Sequence, residues 1–290
     1  MDQRIQRQLE LLGVTKDEVD HIYSGADRWI VRYRNAFCLV VANREEVQSR
    51  LERERRVLSC LRPCNDVRIP EPVCDGIPDG VFVYKFIPGR LLDEELAAGV
   101  TEQDTTVNTD RLSDFLAMLH NTPCQCMDSI PTRNYFHDLP SVGKEQRVRN
   151  MLRANDLLQP FDRVIRLWEE TESSDSREVG LIHGDFAGHN VIVGEHDRRV
   201  TGVIDFVDCF IGDVHFDFRW FYRYGVAFRE QLIQKYAGKS GRRISENTLQ
   251  MYFLLDAFTH LFYAVIFDRP TKLAPGIQAV RGLLEQEKHA

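Results

Sequence analysis

Several features that would narrow the class of this chain are missing. Its seven cysteines are odd in number and contain no CxxC pair. That argues against a disulfide framework, and the cysteines read as reduced thiols. The densest group, His120, Cys124 and Cys126, has no fourth ligand at a spacing zinc uses. It reads as a helix end carrying small buried thiols. No apolar run approaches the ~20 residues of a membrane span. The richest stretch, Met251 to Phe267, is interrupted by Asp256, Thr259 and His260. The first residues, Met1 to Arg7, lack the apolar core of a signal peptide. A cytoplasmic chain with no membrane partner is therefore expected. Positive charge is also short, with 37 Lys and Arg against 44 Asp and Glu, a formal net charge of −7. A field of that sign repels phosphate backbones and argues against a nucleic-acid partner. It suits a cationic ligand or a site that holds metal ions. No internal repeat and no long low-complexity run is present.

What remains is an ordinary globular composition. Hydrophobic residues make up 43% and charged residues 28% of 290, enough for one large domain or two smaller ones. Residues 1–12 read as a short amphipathic helix, with Ile5, Leu9 and Leu12 on one face. Three strand-like segments follow, near Val19 to Tyr23, Trp29 to Tyr33 and Phe37 to Val41. They are separated by Ser24-Gly25-Ala26-Asp27 and by Arg34-Asn35. A highly charged helix is expected from Arg44 to Leu61, ended by Pro63. Pro70, Pro72 and Pro78 mark a loop, and Val81 to Phe86 reads as a further strand, halted by Pro88-Gly89. Residues 91–170 carry mostly helical patterns, as in Leu112, Phe115, Leu116 and Leu119. A strand-rich island spans 179–206, and the pattern after 213 is helical again. The expectation is an α+β chain of two lobes, 1–87 and 88–290, packed along a cleft.

The island carries the chemistry. Asp185 ends an apolar segment and enters a glycine-containing loop. Asn190 lies five residues on, before a second apolar run, and Asp205 follows a third. A hairpin that brings Asn190 near Asp205 would join an amide oxygen and a carboxylate, hard ligands suited to Mg²⁺. Asp185 would stand beside the ion as a base or orienter for a hydroxyl. Phosphoryl transfer needs such a kit, together with a cationic clamp. Protein kinases space an Asp and an Asn in this way and follow them with a metal-binding Asp-Phe-Gly. Here the third element is Asp205-Phe206-Val207.

The ordered set His183-Gly184-Asp185, Asn190, Ile204-Asp205-Phe206, Gly212-Asp213 and Asp217 resembles the aminoglycoside phosphotransferase family, which includes macrolide and other small-molecule kinases. The resemblance implies a bilobal protein-kinase-like fold, with a small β-rich N-lobe for the nucleotide and a larger, mainly helical C-lobe for catalysis and substrate. It implies that Asp185 is the catalytic Asp near the acceptor hydroxyl and that His183 supports the catalytic loop. Asn190 and Asp205 would hold Mg²⁺. Asp213 and Asp217 would form a mostly structural element in which Val214 replaces a Pro, and His189 and His215 read as loop or surface residues. Ser24 and Gly25 would belong to the loop over the nucleotide phosphates, which is not a full GxGxxG. Glu54 resembles the helix glutamate that pairs with a phosphate-binding lysine. Tyr84, Lys85 and Ile87 would sit at the hinge, with backbone groups from Lys85 to Ile87 on the nucleobase. A bulky aromatic such as Tyr84 just before that hinge goes with a bias toward GTP over ATP, so either donor is open.

One departure stands out. The lysine is expected on the third strand, fourteen positions before Glu54, where this chain has Val40. Arg32 or Arg44 are the cations within reach in sequence.

Three functions follow. The first is a small-molecule kinase that moves the γ-phosphate of ATP or GTP to a hydroxyl of an antibiotic-like acceptor, with aminoglycosides placed first. Asp208, Asp256 and Asp268, with Glu246, are the carboxylates that could meet a polycation. A macrolide, amino alcohol or sugar is the alternative acceptor. The second is a nucleotide-binding protein with little transfer activity, motivated by the absent strand lysine. The third, a protein kinase, lacks a clear activation segment between Asp205 and the helical end. A monomer or weak homodimer is expected.

Overall fold

One helix and three short strands open the chain, and helices dominate its later part. In a computed structural model the structure describes residues 2–25, 28–61, 64, 66–73, 81–99, 101–123, 145–174 and 177–287. Pro63, Pro78, Cys124, Cys126 and the Ala26-Asp27 part of the expected phosphate loop lie outside the described residues. The order begins with helix α1 (Gln3–Leu11), strands β1 (Val19–Ser24), β2 (Arg28–Tyr33) and β3 (Phe37–Ala42), and helix α2 (Glu45–Cys60). Next come β4 (Val81–Lys85), β5 (Arg90–Leu91), α3 (Leu92–Ala98), α4 (Glu102–His120), α5 (Glu145–Ala154) and α6 (Leu158–Glu172). The island supplies β6 (Val179–Ile182), β7 (Val191–Val193), β8 (Val200–Val203) and β9 (Phe210–Asp213). Helices α7 (Val226–Ser240), α8 (Glu246–Ile266) and α9 (Pro270–Glu287) complete the order.

The chain divides into two compact units, Met1–Pro131 with His183–Phe210, and Thr132–Ile182 with Ile211–Ala290. Pro88-Gly89, where the sequence pattern changes, lies inside the first unit. The reason is that β5, just after Gly89, pairs antiparallel with β7.

The first unit is built on a four-stranded antiparallel sheet in the order β1-β2-β3-β4. Arg34 and Asn35 turn the chain between β2 and β3 with left-handed backbone (φ 50° and 49°), a conformation that Asn tolerates well. Register then sorts the side chains onto two faces. Val31, Leu39, Val41 and Val83 share one face and bury against Ile5 and Leu9 of α1. Each such burial contributes ~1.5–3 kcal/mol. The opposite face carries Arg28, Ile30 and Arg32 of β2, Cys38, Val40 and Ala42 of β3, and Phe82 and Tyr84 of β4. A three-stranded sheet in the order β5-β7-β8 follows, extended by backbone bonds from Arg68 to Thr201 and Val203. Thr101 opens α4 with a reciprocal cap, its hydroxyl accepting from the Asp104 N–H.

The second unit is mainly helical. Phe161 of α6 meets Phe258 and Phe262 of α8 edge-to-face at 5.3 and 5.1 Å. α8 is long and apolar enough, by length and composition, to cross a membrane, yet 72% of that stretch is buried inside the protein. It is a core helix, its start capped by Ser245.

Gly89 has φ +145°, and a methyl group there would overlap the carbonyl oxygen of Val193. Backbone strain and collision add. Gly89→Ala is expected to cost at least ~2 kcal/mol, read as a lowered urea midpoint at unchanged slope.

Candidate active site

The loop after β6 is held by its own backbone and by one histidine. Gly184 has φ +81°, and a Cβ there would overlap the Asp208 carbonyl, so glycine alone fits. His183 is fully buried. Its Nε2 faces the Ile204 carbonyl at 3.0 Å, and its Nδ1 accepts the Asp185 N–H at 3.3 Å. A carbonyl only accepts and an N–H only donates, so these partners set the Nε2–H tautomer. With both ring nitrogens on backbone, His183 is a positioning residue rather than a proton carrier. Its ring packs against Phe206 and Phe186, which also meet Phe115 of α4. This aromatic group joins the Gly184-Asp185 loop to the Asp205 turn.

The structure brings Asp185 and Asn190 together. The Asn190 Nδ2 donates to the Asp185 carbonyl at 2.9 Å and to its Oδ2 at 3.0 Å. That orientation leaves the amide oxygen of Asn190 as the atom for a metal ion. The expected hairpin is also present. Val191 pairs with Val203, and the Ile204 N–H donates to the Asn190 carbonyl at 2.9 Å. Asp205 is the next residue, left-handed at φ 69°, an uncommon conformation outside glycine. Its Oδ1 is buried with no hydrogen-bond partner among the described residues. An orphaned carboxylate oxygen fits a hard cation, since leaving it unmet costs ~1–3 kcal/mol or more. Among the described residues no three His, Cys, Asp or Glu side chains converge as a metal group. Asn190 and Asp205 would hold Mg²⁺ with the remaining positions left to phosphate and water, which is how Mg²⁺ is usually bound.

Three residues of α2 grip the turn after Asp205. Glu54 Oε1 accepts the Phe206 N–H at 2.9 Å, Arg53 donates to the Val207 carbonyl at 3.2 Å, and Arg50 meets Asp208 Oδ1 at 2.8 Å. Positions 50, 53 and 54 share a helix face, which is why consecutive backbone units can be met in turn. Burial, with the nearby Asp205 charge, pushes the Glu54 carboxyl up to about 8. The cation that meets Asp205 is Arg28, 2.5 Å from Oδ2. Sequence reasoning missed Arg28, Arg50 and Arg53. The i, i+3, i+4 spacing on α2 was a visible signal for two of them, and for Arg28 the signal was its place directly after the expected phosphate loop. Arg32 is held by Asn35 and by the Phe86 ring, and Arg44 is exposed at the start of α2.

The remaining candidates divide. Ser24 closes β1, and the Gly25 N–H donates to the Arg28 carbonyl at 2.9 Å, making the expected loop a hairpin. Tyr84 is buried on the Val40 face and shares a hydrogen bond with Cys38. Burial raises the Tyr84 hydroxyl well above its ordinary value and pushes the Cys38 thiol up to about 11. The Lys85 side chain is exposed on Glu71, while its N–H meets the Glu71 carbonyl. Among the described residues the Ile87 N–H has no backbone acceptor. Asp208 is bound to Arg50. In the second unit, Asp256 is buried between Arg219 and Arg223 with His260 beside it, and Asp268 is exposed and paired with Arg147. His215, read from sequence as a loop or surface residue, is buried. Its Nδ1 donates to Asp213 Oδ1 at 2.5 Å, and its Nε2 accepts the Ser245 N–H. Asp213 also caps the turn Val214–Phe218, the structural role expected of it.

His189 Nε2 lies 3.2 Å from Asp185 Oδ2, with Asp93 nearby at 3.7 Å. The hydrogen bond to Asp185 raises the imidazole above its ordinary 6.5. A raised folded-state value stabilises the protein below pH ~6.5, and that contribution is lost as pH rises through the folded value. In a metal-free NMR titration the His189 ring should have its midpoint above 6.5, and Asp185→Asn should bring it down.

Residues 21–249 match the profile of the phosphotransferase enzyme family. An aminoglycoside 3'-phosphotransferase of Streptomyces fradiae is 24% identical over 215 residues, 66% of this chain and 74% of that protein. The GDP complex of wild-type aminoglycoside 2'-phosphotransferase-IIIa superposes with a TM-score of 0.73 at 15% identity, over 99% of this chain and 100% of that one. The streptomycin–ATP ternary complex of APH(2'')-IIa gives 0.69 at 18%, over 97% and 98%. The macrolide 2'-phosphotransferase of Brachybacterium faecium gives 0.63 at 20%, over 95% and 98%. These superpositions assign the protein-kinase-like α+β fold expected from the motifs. With the profile match across most of its length, this chain is a member of the phosphotransferase enzyme family.

Proposed function

We propose that the protein is a small-molecule kinase that transfers the γ-phosphate of ATP or GTP to a hydroxyl of an antibiotic-like acceptor. The observation that carries this reading is the joined set of Asp185, Asn190 and Asp205, held by a fully buried His183 and by α2. In the step, the acceptor oxygen attacks the γ-phosphorus while the bond from phosphorus to the bridging β–γ oxygen breaks. The nucleoside diphosphate leaves, and the hydroxyl proton passes to the Asp185 carboxylate. Asp185 orients the hydroxyl, and Asn190 orients Asp185 through the same hydrogen bonds. Bound Mg²⁺ would supply charge neutralisation at the phosphates. Ile87 would offer its backbone N–H to the nucleobase.

Aminoglycosides stand first as acceptors because the curated relative and the streptomycin complex involve them. The charge argument from Asp208, Asp256 and Asp268 is weakened, since each already has an arginine partner. A carboxylate so paired projects little field toward a polycation. Macrolides and amino alcohols therefore belong in the same acceptor panel. A cytoplasmic monomer or weak homodimer suits this reading, with no nucleic-acid or membrane partner.

The test is turnover of ATP and of GTP with Mg²⁺ against that panel. Asp185→Ala should lower kcat by ~10²–10⁴ while nucleotide affinity holds; equal turnover in the variant would refute the assignment. Tyr84→Ala opens the space before the hinge. It should raise kcat/KM for ATP relative to GTP by roughly tenfold, and an unchanged ratio would remove Tyr84 from donor choice.

A further inference from the structure

We propose that Arg28 is the phosphate-binding cation of this enzyme, delivered from β2 in place of a cation on β3. The inference rests on the nucleotide reading above and names the residue that makes it electrostatically workable.

The site is rich in carboxylates. Asp185, Asp205, Asp208 and Glu54 gather within one unit, and a nucleoside triphosphate adds further negative charge. The strand position where a cation is expected holds Val40, which is buried between Ile30 and Phe82. Most other cations near this part of the sheet are committed elsewhere. Arg32 lies on Asn35 and Phe86, and Lys85 lies on Glu71. Arg50 and Arg53 hold the turn at 207–208.

Arg28 satisfies the geometry. Register places it opposite Ala42, on the same sheet face as Ile30 and Val40. A small residue opposite leaves room for its long stem, and the apolar neighbours offer a surface for the methylenes. Its backbone closes the hairpin with Gly25, so it sits at the base of the loop expected over the phosphates. Its side chain is only 14% exposed and reaches Asp205 Oδ2, the other oxygen of the carboxylate whose Oδ1 has no hydrogen-bond partner among the described residues. A planar fork there can serve a carboxylate and a phosphate oxygen at once. Arg28 therefore holds the Asp205 charge and would also meet the phosphates of a nucleotide.

The test is calorimetric binding of GTP and ATP, and of guanosine and adenosine, each with Mg²⁺, to the full chain. The variants are Arg28→Met, Arg28→Lys, and Arg28→Met combined with Val40→Lys. The proposal expects Arg28→Met to weaken triphosphate binding by ~10–10²-fold, the scale of losing one hydrogen bond to a charged group, with nucleoside affinity unchanged. Arg28→Lys should retain most of the triphosphate affinity. A lysine installed at position 40 should restore part of it in the Arg28→Met background. Wild-type triphosphate affinity in Arg28→Met overturns the proposal and leaves the kinase reading standing. Equal loss of nucleoside and triphosphate binding also overturns it, because that pattern marks a structural role. Failure of the wild-type chain to bind any nucleotide sinks the kinase reading itself, and this assignment with it.

Discussion

The site depends on one carboxylate, Asp205, held in a left-handed turn. Its backbone conformation is unfavourable for most residues, and one of its oxygens is buried without a hydrogen-bond partner among the described residues. Neither condition would persist in isolation. Both are imposed by neighbours that fix the chain on either side. The β7–β8 hairpin sets the approach, and α2 sets the exit through Glu54, Arg53 and Arg50. Arg28 meets one oxygen of this carboxylate and leaves the other with hydrogen-bonding capacity that a hard cation would satisfy.

The aromatic group beneath the turn explains how a loop keeps such geometry. Phe115, Phe186, Phe206 and His183 pack as rings from three separate segments. Removing water from this group strengthens the two hydrogen bonds of His183. The imidazole then couples the backbone of Asp185 to that of Ile204, one residue before Asp205. The loop that bears Asp185 and the turn that bears Asp205 are thus tied through a single ring. Glu54 adds a second tie from α2. Its carboxyl sits beside Asp205, whose charge pushes it up, and Arg28, whose charge pulls it down.

In the second unit, charge is spent internally. Asp256 is paired with both Arg219 and Arg223, beside aromatic rings. Asp213 is occupied by His215 and Tyr252. These acids maintain the helical scaffold, and net negative charge at the level of the whole chain therefore says little about the charge offered to an acceptor.

Periodicity in the sequence determined the elements. The strands around Ile30, Val40 and Val83, the charged helix that bears Glu54, and the hairpin from Asn190 to Asp205 were all legible, because each depends on contacts a few residues apart. So was the grouping of Asp185, Asn190 and Asp205, since their order and spacing place them on one loop and the hairpin that follows it. His215 was misread because its burial comes from Ser245 and Asp213, and no local pattern reports a partner thirty residues away. Arg28 was overlooked for the same reason. In sequence it is one more polar residue after a turn, 177 positions from the carboxylate it meets. Only strand register decides that it shares a face with Val40, and only the packing of the hairpin over the Asp205 turn decides which acid it holds. Local propensity writes the elements, while pairing between distant charges is settled by the fold that brings them within reach.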